Sequence, residues 1–361
     1  MGLASLGCEV HVLTAKQGSE LEAKRIDAFL RSKGVLVDRI EAHFGSGNLQ
    51  LEGAVQSAIN LVNRYGVDLI HAHHFGAIYL GSVLKSSLEI PLVVSSHKTP
   101  LRDWVAGLVK RDALYAMMQH TTNLGAEAWI AYSKAFETEL RNLNPKVNIV
   151  QIYPGVGMSG KDDTSMSSHD EVVLVPSRLD KRKGLERVID AVSDFNRSSR
   201  TKLTILFTGT PATAKEEKYH ERLRRTASEQ EVQVEFRHFK FLELRSAFRG
   251  RFACVLPSDR EGLGLVVLES MSQGTPVITA ETNGTNEIVI DERNGLTFSL
   301  SVEGDLANRL KTLATNPGVR KTVVKGGYET ISKYFDNGTA AKQHITTYTK
   351  VISDFQKTLE M

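Results

Sequence analysis

The segment that is most informative about the fold reads Leu256-Pro-Ser-Asp-Arg-Glu-Gly-Leu-Gly-Leu-Val-Val-Leu-Glu-Ser-Met-Ser-Gln-Gly-Thr-Pro-Val-Ile-Thr279. The apolar run that leads into it is typical of a buried strand, and Gly262 and Gly264 indicate a turn. The following residues predict a short amphipathic helix that ends at Gly274, and Pro276–Thr279 predicts a further strand. The pattern is therefore strand, glycine loop, helix and strand, as in parallel α/β proteins.

A strand that enters a helix through a glycine-containing loop is suited to binding an anion. Backbone N–H groups and the positive end of the helix dipole then face the same crevice. Glu261 lies in this loop and Glu269 in the helix. Because carboxylates accept hydrogen bonds from hydroxyl groups, the pattern indicates a ligand that carries both phosphate and sugar. The structural alternative is a pair of solvated glutamates that the helix dipole favours.

At these residues the chain resembles the retaining, family 4 glycosyltransferases of the GT-B fold, whose signature is Glu-Gly-Phe-Gly-Leu-x-x-x-Glu. Leucine replaces the commoner phenylalanine here, which keeps the position apolar. The resemblance implies that Glu261 faces the transferred sugar and that Glu269 binds the ribose of the nucleotide. The intervening residues are expected to line the nucleotide-sugar site: Gly262, Leu263, Gly264, Leu265 and Val266.

A second loop supplies positive charge. It reads Pro176-Ser-Arg-Leu-Asp-Lys-Arg-Lys-Gly184 and lies between a predicted strand and a predicted helix. Arg178 and Lys183 match the diphosphate-binding pair of the family, and Gly184 matches the glycine that follows it. Two cations and a helix end can stabilise the charge of a departing diphosphate without a metal ion. The resemblance therefore implies that these two residues are catalytic and that no metal or other cofactor is needed.

Histidines mark the first half of the chain. His97 follows the predicted strand Pro91–Ser95, at the carboxyl end, where parallel sheets bind ligands. It resembles in position the family histidine that contacts the donor sugar, and a structural histidine is the alternative. His71 and His73 would share one face of a strand, with His74 next to them. Because no third ligand follows at a recognisable zinc spacing, a core or site-lining role is favoured over a metal site.

The domain organisation follows from length and alternation. A chain of 361 residues suggests two domains, and alternating helices and strands indicate parallel α/β packing. The resemblance implies two Rossmann-like, doubly wound domains that face a cleft. We expect an acceptor-side domain at residues 1–157, a linker at 158–170, a nucleotide-sugar domain at 171–335 and a helix at 336–361 that returns to the first domain. The first strand and glycine loop of relatives have no match, so the first domain is expected to lack that strand.

Composition limits the partners and the compartment. The 45 basic and 42 acidic residues give a net charge of only +3, which does not indicate a nucleic-acid partner. Cys8 and Cys254 lie in apolar contexts and predict core thiols in a reducing compartment, hence a cytoplasmic protein. A helix predicted at 101–120 carries Trp104 among apolar and basic residues. We favour a core face for it; the alternative is peripheral contact with the inner face of the membrane.

The sequence thus predicts transfer of a sugar, with retention, from a nucleoside-diphosphate sugar to an acceptor hydroxyl. The acceptor would be a saccharide or a lipid-linked molecule, and the setting polysaccharide, lipopolysaccharide or other glycoconjugate synthesis. Two alternatives stay open: a weakly active or inactive partner protein that binds nucleotide sugar, and a nucleotide-sugar epimerase of the same fold. A dehydrogenase is disfavoured because no Gly-x-Gly-x-x-Gly follows a predicted strand.

Overall fold

A computed structural model of the chain describes residues 1–16, 19–40, 43–45, 48–50, 52–73, 75–95, 125–158, 169–282 and 284–361. These residues form two compact units. The first unit contains Met1–Gly155 and Asn337–Met361, and the second contains Val156–Asp336. His74, His97, the predicted helix at 101–120 and most of the predicted linker lie outside the described residues.

The first unit alternates strands and helices, as the sequence predicts. Its elements are α1 (Gly2–Ser5), β1 (Val10–Ala15), α2 (Glu20–Arg31), β2 (Val35–Ile40), β3 (His43–Gly45), β4 (Asn48–Gln50), α3 (Glu52–Tyr65), β5 (Ile70–His73), α4 (Phe75–Leu88), β6 (Leu92–Ser95), β7 (Ala128–Ala131), α5 (Lys134–Leu143), β8 (Ile149–Gln151) and, at the far end of the chain, α12 (Asn337–Leu359). The antiparallel pair β3–β4 was not predicted, because its strands have only three residues each.

Besides the β3–β4 pair, this unit contains two parallel sheets. Strands β5, β6, β7 and β8 lie side by side in that order, while β1 and β2 form a separate pair. Within the described ranges no strand lies between β1 and β5, the position that the first strand of a doubly wound sheet occupies. Both edge strands nevertheless contact one apolar cluster, because Leu13 of β1 and Ile70 of β5 pack on buried residues of α3 and α4.

Helix α12 packs on the four-stranded sheet of the first unit. Val351 and Tyr348 join an apolar cluster that includes Val93 and Ile130. The ring of His71 lies between Tyr348 Oη, 2.5 Å from Nδ1, and a serine hydroxyl of β6, 2.6 Å from Nε2. The last helix is therefore tied to the first unit by apolar contacts and by a polar network at its inner face.

The second unit contains one larger sheet. Its elements are β9 (Val172–Val175), α6 (Glu186–Ser198), β10 (Thr204–Phe207), α7 (Ala214–Glu229), β11 (Val234–Phe236), α8 (Phe241–Ala247), β12 (Ala253–Leu256), α9 (Leu265–Ser272), β13 (Val277–Ala280), β14 (Leu296–Phe298), α10 (Asp305–Thr315) and α11 (Pro317–Thr330), the last continued by a π-helical turn, Ile331–Phe335. The six strands are parallel, in the order β11-β10-β9-β12-β13-β14.

This strand order creates a switch point. The chain proceeds outward from β9 to one edge of the sheet and from β12 to the other, and β9 and β12 are neighbours. Loops that leave the carboxyl ends of two such strands diverge, and the crevice between them is where open α/β sheets bind ligands. Strands β12 and β13 are completely buried, which explains their continuous apolar sequence.

Helix α9 is the short helix that the signature stretch predicts, and it is more buried than an amphipathic pattern indicates. Helix α9 begins after Gly264 as expected, but Val267, Leu268 and Met271 are buried and few of its residues are exposed. The helix contacts β12 and β13 on one side and α11 on the other. Leu265 and Glu269, one turn apart, keep accessible surface, so the helix retains one face that is not fully covered.

Candidate functional site

Two loops meet at the switch point of the second unit. The first follows β9 and contains residues 176–185; the second follows β12 and contains residues 257–264. Lys183 Nζ in the first loop lies 2.5 Å from Glu261 Oε1 in the second. Both side chains are largely buried, with exposed fractions of 15% and 10%. The structure thus brings together two predicted site residues that are 78 positions apart in the chain.

Gly184 explains how the two loops come so close. Its φ of 61° lies in the left-handed region, where a side chain is strained. A Cβ at this position would lie 2.6 Å from the carbonyl oxygen of Pro257 and would overlap the guanidinium of Arg187. The motif glycine is therefore required both by its backbone conformation and by the approach of the opposite loop.

The second loop also combines a glycine in a left-handed backbone conformation with close packing against a neighbouring loop. Gly264, with a φ of 80°, is the N-cap of α9, and Leu263 beside it is buried. A Cβ on Gly284, in the loop after β13, would overlap the carbonyl oxygens of Glu261 and Gly262. Gly262 and Val266 are half-buried, and Leu265 is exposed. Of the five residues expected to line the site, Leu263 and Gly264 are buried and shape the loop, while the other three retain accessible surface.

Glu269 offers a carboxylate without a hydrogen-bond donor among the described residues. It lies on α9 and is half-buried; burial raises its pKa, and the positive charge of Arg245 on α8 opposes that rise. Within the described part of the chain its carboxylate accepts no hydrogen bond and joins no ion pair. A partly desolvated carboxylate of this kind is costly to the fold, and a ligand that donates hydroxyl groups would offset that cost.

Arg178 is an exposed cation in the first half of the first loop. Its side chain makes no hydrogen bond or ion pair with the residues that the structure describes, and its charge helps to lower the pKa of Asp180, chiefly lowered by the hydrogen bond from Arg182. Gly209, which follows β10, lets this loop pack closely, because a Cβ there would lie 2.5 Å from Ser177 O. Arg178 is thus fixed through its backbone and leaves its guanidinium available to an anion.

Sequence reasoning missed the contacts that join the loops. Arg187 in the first turn of α6 donates from Nη1 to Pro257 O at 2.9 Å and pairs with Asp259 at 2.6 Å. One signal was present in the sequence. A cation in the first turn of a helix, such as Arg187, interacts unfavourably with the helix dipole, so an acidic or carbonyl partner elsewhere in the fold is expected. Arg245, near Glu269, was also missed, since its position depends on the packing of α8.

Metal-binding clusters and membrane-spanning helices are absent from the described residues. In the described ranges, no cluster of three or more His, Cys, Asp or Glu side chains is arranged to hold a metal ion. None of the described helices is both long and apolar enough to cross a membrane. His71 has hydroxyl partners, and its ring centroid lies 4.1 Å from that of His73. His97 cannot be placed because it lies outside the described residues.

The architecture defines an α/β protein with two Rossmann-like domains, the arrangement of GT-B glycosyltransferases. Residues 161–330 match the family model described as glycosyl transferases group 1, and residues 1–159 match the model described as glycosyltransferase family 4. Together the two matches span nearly all of residues 1–330. The chain belongs to this family of glycosyltransferases.

Individual proteins show the same similarity. An uncharacterized glycosyltransferase of Methanocaldococcus jannaschii is 28% identical over 285 residues, which cover 76% of this chain and 73% of that protein. The solved sucrose-phosphate synthase of Thermosynechococcus elongatus is 18% identical with a TM-score of 0.74, over 96% of this chain and 100% of that one. HepE of Anabaena, solved in complex with UDP-glucose, is 20% identical with a TM-score of 0.70, over 94% and 99%. The two solved structures share the fold.

Proposed function

We propose that the chain transfers a sugar from a nucleoside-diphosphate sugar to an acceptor hydroxyl, with retention of anomeric configuration. One observation carries the proposal: the Lys183 ammonium and the Glu261 carboxylate meet at 2.5 Å where the loops after β9 and β12 diverge. A cation there suits the diphosphate of a donor, and a carboxylate suits the hydroxyls of its sugar. The complex of HepE with UDP-glucose supports the choice of donor class.

The charge of each site residue indicates which part of the donor it would bind. Lys183 and Arg178 would stabilise the diphosphate, with the N-terminal end of α9 as a further source of N–H groups. Glu261, released from Lys183 as the ammonium turns to phosphate, would accept hydrogen bonds from the sugar. The Glu269 carboxylate, on α9, would accept hydrogen bonds from the ribose hydroxyls. Each of these four side chains is charged, lies in one of the two loops or on α9, and can make contacts with the ligand.

Retention would follow a front-face course. The bond between the anomeric carbon and the phosphate oxygen breaks, the acceptor oxygen bonds to the same face of that carbon, and the acceptor proton passes to the departing phosphate oxygen. Negative charge on the diphosphate grows as the bond breaks, so the two cations bind the transition state more strongly than the bound donor. No protein nucleophile and no metal ion enter this proposal. The acceptor is a saccharide or a lipid-linked hydroxyl.

The test is turnover of a UDP-sugar with a panel of saccharide and lipid-linked acceptors, with NMR of the product to read its anomeric configuration. Lys183→Ala should slow single turnover about a hundredfold, equivalent to about 3 kcal/mol, because a charge-stabilising donor is lost. Lys181→Ala is the matched control, since Lys181 is an exposed lysine of the same turn, and should remain near wild type. A chelator should leave the wild-type rate unchanged.

The outcomes separate the alternatives. Transfer that depends on Lys183 and proceeds with retention supports the proposal. An epimerised nucleotide sugar formed without acceptor would instead identify an epimerase, and tight binding of donor without turnover would identify a binding partner. An inverted product, or equal rates for Lys183→Ala and Lys181→Ala, would refute the mechanism and the role of Lys183 in it.

A further inference from the structure

Arg187 spans the two loops of the site. It lies in the first turn of α6, three residues after Gly184, and its backbone N–H donates to Gly184 O at 3.1 Å. Its side chain extends to the opposite loop, where Nη1 donates to Pro257 O at 2.9 Å and lies 2.6 Å from Asp259 Oδ1. A single guanidinium thus attaches the base of the loop that carries Lys183 to the loop that carries Glu261.

Two further links join the loops in the described residues, and one of them is long while the other must open when the ligand binds. The backbone N–H of Asp259 donates to Arg182 O at a long 3.4 Å. The Lys183–Glu261 pair is shorter, but a bound diphosphate would compete for the ammonium, so this link is lost when it is most needed. The contacts of Arg187 do not involve a group that would bind the diphosphate, so they can persist while the ligand binds and reacts.

We infer that Arg187 is a positioning residue that keeps the Lys183 loop and the Glu261 loop in register while Lys183 exchanges its carboxylate for the diphosphate. The inference rests on the proposed function. The guanidinium of arginine suits this role, since it is always charged and Nη1 reaches both the carbonyl of Pro257 and the carboxylate of Asp259. The guanidinium also occupies the space above Gly184 that a Cβ would fill, which ties its position to the backbone of the catalytic loop.

The first test compares Arg187→Ala with Arg197→Ala. Arg197 lies at the other end of the same helix in an exposed pair with Asp194, so it matches the loss of one arginine from α6. Arg187→Ala should lower kcat about tenfold. A 1 Å misplacement of a catalytic group can cost roughly a hundredfold in rate, and the loss of Arg187 is expected to displace Lys183 by less than that. KM for the donor should change much less, and Arg187→Lys should recover only part of the rate. Arg197→Ala should behave as wild type.

A double-mutant cycle provides a readout that general destabilisation would not give. If Arg187 acts through Lys183, adding Arg187→Ala to Lys183→Ala should cause no further loss of single-turnover rate. An additional tenfold loss would overturn the inference. Should Arg187→Ala fail to fold, Asp259→Asn removes only the ion pair. It should reduce kcat by a smaller factor with the same dependence on Lys183, and a full rate in that variant would equally overturn the inference.

A crystal structure of ligand-free Arg187→Ala tests the same point without turnover. The Lys183–Glu261 pair should be lengthened or lost in the variant and retained in Arg197→Ala. A pair that stays at its 2.5 Å separation would refute the positioning role even if the protein had no transferase activity. A wild type that binds and transfers no sugar, with a disturbed pair in the variant, would refute only the proposed function.

Discussion

Replacing Gly184 by alanine tests how the site is assembled. Alanine in the left-handed region is strained by about 1 kcal/mol. The new Cβ would also lie 2.6 Å from Pro257 O, closer than real Cβ contacts, so the backbone of one loop must shift by several tenths of an ångström. Arg187 must move as well, and the loss of its hydrogen bond to Pro257 costs about 1 kcal/mol. With the displaced backbone included, the sum is a destabilisation of about 3 kcal/mol for the second unit.

Gly250→Ala is the matched control. Gly250 lies in the same unit with a φ of 69°, close to the 61° of Gly184, but a Cβ there would meet nothing within 4 Å. It should therefore cost only the strain of about 1 kcal/mol. Calorimetric melts should place the transition of Gly184→Ala about 5 °C below that of Gly250→Ala, given about 2–4 °C per kcal/mol for a domain of this size.

Turnover extends the same comparison. Because the clash displaces the residue next to Lys183, Gly184→Ala should also lose about a hundredfold in single-turnover rate. Gly250→Ala should keep the wild-type rate. Equal melting temperatures and equal rates for the two alanine variants would show that Gly184 does not hold the loops together, and would refute this account of the site.

Three further predictions follow from single residues. Burial raises the pKa of Glu269, so the fold is favoured at acidic pH, and this stabilisation is lost as pH rises through the folded-state pKa. Glu269→Gln should therefore raise the melting temperature near neutral pH. The same substitution should weaken nucleoside-diphosphate binding in calorimetry more than Glu261→Gln does, and a stronger effect of Glu261→Gln would reverse the assignment. Arg178→Ala should slow single turnover about a hundredfold, with incomplete recovery in Arg178→Lys; an unchanged rate would remove Arg178 from the mechanism. Burial lowers the pKa of His344 on α12, so the first unit should lose stability as pH falls below about 6.5, where the unfolded chain takes up a proton first; His344→Gln should flatten this slope in acid melts, and an unchanged slope would assign it to other groups.

Much of the secondary structure could be predicted because its signals are local. The segment Val35–Ile40, which follows Gly34, is rich in β-branched and apolar residues and is typical of a strand, and the structure has β2 there. Strand β14, Leu296–Phe298, was missed because three residues are too short for a periodic signal and its existence depends on pairing with β13. Helix α9 is more buried than an amphipathic pattern predicts because α11, which packs against it, comes more than forty residues later in the chain.

The chemical groups that the site can use are evident from the amino-acid sequence. The motifs contain Arg178, Lys183, Glu261 and Glu269 in loops and a helix whose positions follow from local patterns, and that content is enough to indicate sugar and phosphate. Tertiary structure alone decided how these groups interact. The Lys183–Glu261 pair and the Arg187 contacts exist because β9 and β12 are neighbours in the sheet. The raised pKa of Glu269 comes from the packing around α9, and no local pattern records which strands pair or what covers a helix.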